Sequence, residues 1–299
     1  MGDSPSAWRA RGEELVLPEG RIFTVDLAAE DAQDRTPLLV LHGFPSSSWD
    51  FADSAALLAK KRRVVLFDFL GFGLSDKPDD AGYSLFEQAE IAIAVAKKAK
   101  LGKVHIWAHD MGTSVATELM ALRERGRLPF EVQSLTLMNG SVHVEMASLT
   151  AGQHLLRSPG GDVFARLSGR RIFTAQMKRI FAKPVSDEAI EGMWSLLERA
   201  DGRRRLPKTI RYIEERTRFR RRWIGALERL DIPTRIAWGV KDPVALLSIG
   251  ERLAKETPGA ELLRWDDLGH YPQMEDPARV ASDLGRFVEG VEGVRAPPR

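Results

Sequence analysis

An aspartate with small residues on either side stands where an apolar run gives way to a helical pattern. The segment Ala108-His109-Asp110-Met111-Gly112 has the small-x-nucleophile-x-small spacing of a nucleophile elbow, with Asp110 at its centre. Small flanking residues are required because the strand-to-helix turn is tight and its central residue is strained. An aspartate that only capped the following helix would not need them. The spacing therefore favours a reactive Asp110.

An aspartate at this position implies a particular chemistry. Its side chain, unlike a serine hydroxyl, is already ionised at neutral pH and needs no base to activate it. A carboxylate can displace a leaving group from saturated carbon, such as an epoxide oxygen or a halide, and the product is an alkyl ester. Water must then hydrolyse that ester, which requires a base and an oxyanion hole. We expect the substrate to be a small apolar molecule with an electrophilic carbon.

Two later segments supply the residues that ester hydrolysis needs. Hydrolases built around this elbow run in the order nucleophile, acid, histidine. His270 follows the last apolar run and is expected to be the base that activates water. Asp242 follows the run at 236–238 and is expected to accept the imidazole N–H. Glu145, a little after the run that ends at Met138, is the alternative acid.

An oxyanion hole is predicted from the segment Leu41-His42-Gly43-Phe44-Pro45, which follows the first strong apolar run. The glycine permits a sharp turn, so the backbone N–H of Phe44 can point into the site. Together with the N–H of Met111 it would give the two donors that a tetrahedral intermediate needs. His42 itself is expected to be a structural hydrogen-bonding residue.

Short apolar runs alternate with helix-like segments along most of the chain. The helix-like segments include 85–98, 113–125 and 249–256, and the runs lie at 38–41, 64–67, 104–107, 135–138, 236–238 and 262–265. Brief apolar runs between turn residues are typical of parallel strands covered on both faces. The alternation predicts an α/β fold with a mostly parallel, doubly wound sheet. In such sheets ligands bind at the carboxyl ends of the strands, which is where the residues above fall.

Residues 144–230 interrupt this alternation. They lack strand-like runs, and their pattern indicates helices near 164–167, 171–181, 187–200 and 209–230. Because strand-like runs resume at Arg235, an inserted helical cap is favoured over a separate helical domain. We expect a core domain of residues 1–143 and 231–299 with a cap of residues 144–230.

Composition narrows the classes of partner. The chain has no cysteine, which excludes disulfides, thiolate chemistry and cysteine-bound metals, and its net charge is only +2. Arginines cluster at 203–205 and 216–222, but nearby glutamates suggest solvated helix faces and not a nucleic-acid surface. No apolar run approaches the ~20 residues that span a bilayer. We expect a cytoplasmic protein that binds neither nucleic acid nor membrane, and a homodimer is left open.

These segments together resemble the epoxide hydrolase and haloalkane dehalogenase branch of the α/β-hydrolases. The similarity runs from about Pro37 to Val288, and the motifs that carry it lie at 42–45, 68–78 and 109–112. Within the branch, the segments 219–227 and 270–277 look most like the mesoderm-specific transcript protein and its bacterial relatives. The resemblance implies an α/β-hydrolase fold with an inserted helical cap, and it implies no metal or cofactor.

The resemblance also separates two substrates. Dehalogenases of this branch usually bind halide through a tryptophan directly after the nucleophile and an asparagine after His-Gly. Met111 and Phe44 occupy those places here. Epoxide hydrolases have His-Gly-Phe-Pro and two cap tyrosines that protonate the opening oxygen. Only Tyr212 resembles one of these, and His154 and Gln153 are the candidates to replace the other.

The prediction is therefore an epoxide hydrolase that forms a vicinal diol, with Tyr212 as the proton donor. Four residues are expected as walls of the substrate pocket: Trp49, His154, Trp194 and Trp223. Dehalogenation, with donors recruited from tryptophans, is the first alternative. A non-catalytic binding protein with the arginine-rich segment as its interface is the second, although a binder has no need of a complete nucleophile, acid and histidine.

Overall fold

The computed structural model describes residues 4–30 and 35–295. Its strands are β1 (Gly12–Leu17), β2 (Gly20–Leu27), β3 (Leu38–Leu41), β4 (Val64–Phe67), β5 (Lys103–His109), β6 (Glu131–Met138), β7 (Thr234–Gly239) and β8 (Glu261–Trp265). Within the described residues these eight form one sheet in the order β1-β2-β4-β3-β5-β6-β7-β8. The β1–β2 and β2–β4 pairs are antiparallel, and every other pair is parallel.

The central strands are buried along their length. Every residue of β3 and β4 is buried, as expected for parallel strands covered by helices on both faces. The predicted α/β fold is thus confirmed, with the bounds of these two strands as the sequence predicts. The β1–β2 hairpin was not predicted. Strand β1 lies at the sheet edge, much of it is exposed, and it begins with glycine and two glutamates, so its apolar part is short.

The α-helices surround this sheet. They are α1 (Pro5–Arg11), α2 (Ala52–Ala59), α3 (Leu85–Lys98), α4 (Met111–Glu124), α5 (Ala151–Leu156), α6 (Gly161–Leu167), α7 (Arg170–Ile180), α8 (Asp187–Glu198), α9 (Leu206–Thr209), α10 (Tyr212–Arg218), α11 (Arg220–Glu228), α12 (Leu247–Glu256), α13 (Pro272–Glu275) and α14 (Pro277–Arg295). Short 3-10 helices lie at Ser48–Phe51, Val144–Met146 and Arg199–Arg205. Helix α14 packs against α2, while α3 and α11 both pack against α4.

Between β6 and β7 the described elements are all helical, from the 3-10 helix at Val144–Met146 to α11. The helix predicted over 209–230 is instead divided among α9, α10 and α11. Phe219 leaves the helical conformation, with φ −106° and ψ 13°, and its ring packs edge-on against Phe86 at 4.7 Å between centroids. Side-chain packing on the core therefore interrupts a segment whose local pattern is continuously helical.

The topology collects the predicted functional segments at one edge. His42 follows β3, Asp110 follows β5, Asp242 lies after β7 and His270 after β8. Because β3 to β8 are parallel neighbours, their carboxyl ends lie along the same edge of the sheet. The sheet thereby brings together residues far apart in sequence. Among the described residues, no helix is both long and apolar enough to cross a lipid bilayer.

Candidate active site

Asp110 occupies a strained turn between β5 and α4. Its backbone has φ 46° and ψ −112°, a conformation that a residue with a side chain rarely adopts. Glycines surround it: a Cβ on Gly112 would overlap carbonyl oxygens at the end of β3, and one on Gly140 would overlap the Asp110 backbone. A Cβ on Gly43 would lie 2.8 Å from the Cβ of Asp110. The neighbouring strand ends leave no room for side chains at these positions.

The carboxylate of Asp110 does not cap the helix that it precedes. Its Oδ2 instead accepts a hydrogen bond of 2.9 Å from the backbone N–H of Phe44. Met111 is the first residue of α4, and its N–H is among those that no helical carbonyl can satisfy. The geometry therefore argues against a capping role and places the Phe44 N–H, the predicted oxyanion donor, at the carboxylate.

His270 is held by Asp242. Its Nδ1–H donates to Asp242 Oδ2 at 2.7 Å, and both side chains are buried. The other oxygen of Asp242 accepts the backbone N–H groups of Val244 and Ala245, at 2.7 and 3.0 Å. These contacts fix the acid in place and orient the imidazole, whose Nε2 neither accepts nor donates a hydrogen bond within the part of the chain that the structure describes.

Asn139 supports the acid from the end of β6. Its amide donates to Asp242 Oδ2 at 2.8 Å, and its own oxygen accepts the N–H of Gly239 at 2.9 Å. Glu145, the alternative acid, is turned toward Arg220 and Arg252, at 2.8 and 3.1 Å. It is thus engaged in ion pairs away from the His270 imidazole.

The charges around His270 set its protonation. Burial opposes the charged imidazolium, but the charge and hydrogen bond of Asp242 and the charge of Asp110 outweigh it and raise the pKa of His270 to about 9. The corresponding stabilisation is complete below the ordinary histidine pKa of about 6.5 and is lost as the pH rises through about 9. At neutral pH the resting site therefore holds His270 as an imidazolium.

His109 supports the backbone of His270. Burial and the charge of His270 lower the pKa of His109 to about 4, so its ring is neutral at pH 7. Its Nε2 donates to the carbonyl oxygen of His270 at 2.7 Å, and Nδ1 accepts from the Gln273 amide at 3.4 Å. In a similar way His42 accepts the N–H of Phe69 at 2.9 Å and donates to the Gly43 oxygen at 2.8 Å. Both rings are structural.

A cavity of about 160 Å³ opens onto Asp110 and His270. Most of its remaining wall is apolar and comes from the helices between β6 and β7, including Leu156, Phe164, Phe173, Met177, Trp194 and Leu197. An apolar cavity of roughly 150 Å³ is enough to hold benzene. The site is therefore suited to a compact, mainly apolar molecule. Among the described residues, no group of three or more His, Asp or Glu side chains is arranged to hold a metal ion.

Of the four residues expected to line the pocket, only Trp194 does so. Trp49 is buried with its ring against Gly192 of α8. The Trp223 indole donates to Glu118 at 2.7 Å, and His154 lies exposed on α5. The prediction was wrong for these three. The two indoles pack against other parts of the protein and the imidazole faces solvent, and the sequence alone does not show these side-chain directions.

Tyr212 also lies off the cavity wall. Its buried ring packs against Phe44, at 5.7 Å between centroids, and the Arg216 guanidinium lies 4.5 Å from its centroid. Burial and the charge of Asp110 raise the pKa of Tyr212, so the phenol keeps its proton. The predicted donor is therefore protonated but packed beside the cavity. Gln153, the alternative stand-in, does line the cavity.

The arginine-rich segment is not simply a solvated helix face. Arg222 forms two hydrogen bonds to Glu118, at 2.7 and 2.6 Å. Arg216 is 7% exposed and turns inward to the elbow, where it donates to the backbone oxygen of Asp110 at 2.9 Å. The prediction was wrong for these two, because Arg216 on α10 and Arg222 on α11 both turn toward residues of α4 and its elbow and not toward solvent.

The chain belongs to the α/β-hydrolase family. The model of the family described as "alpha/beta hydrolase fold" matches residues 36–180. LipZ of Mycobacterium tuberculosis, which is named as a hydrolase only provisionally, is 43% identical over 282 residues, covering 93% of this chain and 96% of LipZ. The mesoderm-specific transcript protein of Mus musculus is 33% identical over 282 residues, covering 91% of this chain and 84% of that protein. The resemblance stated from the motifs is confirmed.

Solved structures agree on the fold. An α/β-hydrolase-fold protein from Burkholderia ambifaria has a TM-score of 0.75 at 26% identity, covering 91% of this chain and 96% of that one. A loop variant of the haloalkane dehalogenase DbeA from Bradyrhizobium elkanii has a TM-score of 0.79 at 20% identity, covering 95% of this chain and 97% of that one. At that identity the second likeness describes the fold alone.

The charge arrangement predicts how His270 titrates. Asp110→Asn removes one of the negative charges that stabilise the imidazolium, so the pKa of His270 should fall below its wild-type value of about 9. Asp242→Asn should lower it further because it also weakens the hydrogen bond. Histidine NMR titration measures both shifts, with exposed His154 as the internal control. An unchanged His270 pKa in Asp110→Asn would show that the two groups are not coupled.

Proposed function

We propose that this hydrolase attacks an electrophilic saturated carbon with Asp110 and passes through an alkyl ester on that side chain. The observation that carries the proposal is that the two oxygens of the Asp110 carboxylate have different hydrogen-bond partners. Oδ2 already accepts the Phe44 N–H at 2.9 Å, whereas Oδ1 accepts no hydrogen bond from the described residues. Oδ1 is therefore the attacking oxygen, and Oδ2 becomes the ester carbonyl in the oxyanion hole.

Esterification changes the charge that His270 experiences. In the first step Asp110 Oδ1 bonds to carbon and the leaving group departs with the bond's electron pair. The negative charge of Asp110 is lost, so the pKa of His270 falls and the imidazolium releases its proton. Neutral His270 can then take a proton from water, which attacks Cγ of the ester. The same loss of charge that ends the first step thus prepares the base for the second.

An epoxide is the substrate class that we favour. The leaving oxygen stays attached to the product, takes up a proton, and gives a diol after ester hydrolysis. Gln153 is suited to bind that oxygen: its Oε1 accepts the Thr150 N–H at 2.8 Å, which leaves its amide N–H groups for the cavity that it lines. The proton released by His270 balances the one that the oxygen takes up. Residues 144–230 would act as the cap that encloses the substrate.

Dehalogenation is the second candidate, and the favouring observation is Trp194 on the cavity wall. Its indole N–H is a donor of the kind that binds halide. Against it, the position after the nucleophile is Met111 and the position after His-Gly is Phe44, neither of which has a side-chain donor. An ester substrate is disfavoured, because attack by a carboxylate would give a mixed anhydride more reactive than the ester consumed.

His270→Gln should trap the intermediate. The variant keeps Asp110 and the oxyanion donor but lacks the base, so the ester forms and is not hydrolysed. After incubation with styrene oxide, a compact epoxide, mass spectrometry of the Asp110 peptide should show the mass of one added substrate. Asp110→Ala is the matched control and should show neither adduct nor turnover. Turnover in Asp110→Ala would contradict the assignment of the nucleophile.

The leaving group is decided by a paired substrate test. Styrene oxide and 1-bromobutane both offer a saturated electrophilic carbon to the same carboxylate. We expect diol from the first and little bromide release from the second, because neither Phe44 nor Met111 has a halide-binding donor. Product analysis and a halide assay measure the two. Bromide release faster than diol formation would favour the dehalogenase instead.

A further inference from the structure

Arg216 reaches the nucleophile from the helices between β6 and β7. It lies on α10, and its guanidinium makes two hydrogen bonds at the elbow: Nε donates to Ser114 Oγ at 2.8 Å and one terminal nitrogen donates to the backbone oxygen of Asp110 at 2.9 Å. The same nitrogen lies 3.8 Å from Asp110 Oδ1. The guanidinium is thus fixed by hydrogen bonds next to the oxygen that is free to react.

This cation depends on Asp110 for its charge balance. The side chain of Arg216 is 8% exposed, and within the described residues its one carboxylate partner is Asp110. On its other side it covers the ring of Tyr212, a neutral group. A buried cation is costly unless it is paired and hydrogen-bonded. When Asp110 is esterified, the guanidinium keeps its hydrogen bonds but loses its counter-charge.

We propose that Arg216 is a further catalytic residue that stabilises negative charge on Asp110 Oδ1 while the enzyme ester is hydrolysed. This inference rests on the proposed function. Water, deprotonated by His270, bonds to Cγ, and the tetrahedral intermediate then breaks the bond between Cγ and Oδ1. Oδ1 leaves with the electron pair as the oxygen of the product and takes its proton from His270. The oxygen from water remains on Asp110.

The two oxyanions of this step have different partners. The charge that first develops on Oδ2 is held by the N–H of Phe44, 2.9 Å away. The charge that develops on Oδ1 as it departs faces the Arg216 guanidinium, 3.8 Å away before reaction. A fixed cation aimed at a developing charge needs no reorganisation at the moment of bond breaking. Arg216 therefore stabilises the charge on Oδ1, whereas the oxyanion hole stabilises the charge on Oδ2.

The same cation should oppose the first step. Alkylation consumes the negative charge of Asp110, and a neighbouring cation stabilises the charged reactant more than the neutral ester. Removal of the cation should therefore leave alkylation unchanged or faster while it slows ester hydrolysis. Opposite effects on the two half-reactions are a signature that a purely structural role for Arg216 would not give.

Arg216→Met, which keeps the length of the side chain without its charge, tests the proposal. With styrene oxide as the probe, rapid quenching in a single turnover and mass spectrometry of the Asp110 peptide measure formation and decay of the ester separately. We expect decay to slow by roughly 10²-fold, the scale of losing one oxyanion donor. Ester formation should not slow, so the intermediate should accumulate where the wild type shows little.

Two further variants keep the test decisive. Arg216→Lys retains the cation, so its ester should decay faster than that of Arg216→Met. If Arg216→Met folds poorly, Arg216→Lys can still be compared with the wild type. Arg218 is an exposed arginine of the same helix, and its guanidinium lies over the ring of Phe219. Arg218→Met should therefore leave both rates unchanged. Ester decay at the wild-type rate in Arg216→Met would overturn the proposal, as would equal slowing of both steps or no recovery with lysine.

Failure of the proposed function would look different. If His270→Gln forms no ester with styrene oxide, the covalent scheme itself fails and the role of Arg216 fails with it. If the ester forms in His270→Gln but decays normally in Arg216→Met, only the role of Arg216 is refuted. Ester formation in His270→Gln thus tests the proposed function, and ester decay in Arg216→Met tests the role of Arg216.

Discussion

The tight turn at Asp110 is the constraint on which the rest of the site depends. A residue with a side chain is held at φ 46°, which costs on the order of 1–3 kcal/mol, and the surrounding backbone must maintain it. That backbone comes from the ends of β3, β5 and β6, which approach so closely that Gly43, Gly112 and Gly140 cannot have side chains. The same close approach brings the Phe44 N–H to the carboxylate. Strand packing thus positions the proposed nucleophile and its proposed oxyanion donor together.

Charge balance is the second requirement of so buried a site. Two carboxylates, Asp110 and Asp242, face two cations, His270 and Arg216, and every one of them is hydrogen-bonded. Such an arrangement is tolerated in a low dielectric only as a complete set. In the proposed mechanism, esterification of Asp110 removes one charge from this set, and the pKa of His270 falls as a result. The helices between β6 and β7 contribute one of the four charges, so in the proposed mechanism they take part in the reaction as well as in the wall of the pocket.

The sequence predicted the parts of this arrangement that local pattern encodes. Runs of apolar residues located β3 and β4, and the order of motifs along the chain led to Asp242 and His270, which the structure joins at 2.7 Å. Side-chain direction was not predictable, because a helical pattern does not say which neighbour a residue meets. Arg216 was therefore assigned to a solvated face, although its spacing of four from Tyr212 places both on one side of a helix. Gly140 belongs to no motif. That a glycine is required there follows only from the structure, where β6 lies beside β5 and a Cβ on Gly140 would overlap the Asp110 backbone.

The central claim is that carbon from the substrate is transiently esterified to Asp110. Single-turnover reaction in water labelled with heavy oxygen tests this most directly, because water attacks the carboxyl carbon and the product takes the old side-chain oxygen. We predict that, with enzyme in excess over styrene oxide, the label appears in the Asp110 side chain and the first diol formed is unlabelled at the new hydroxyl. Label in the first diol, with none in Asp110, would contradict the account.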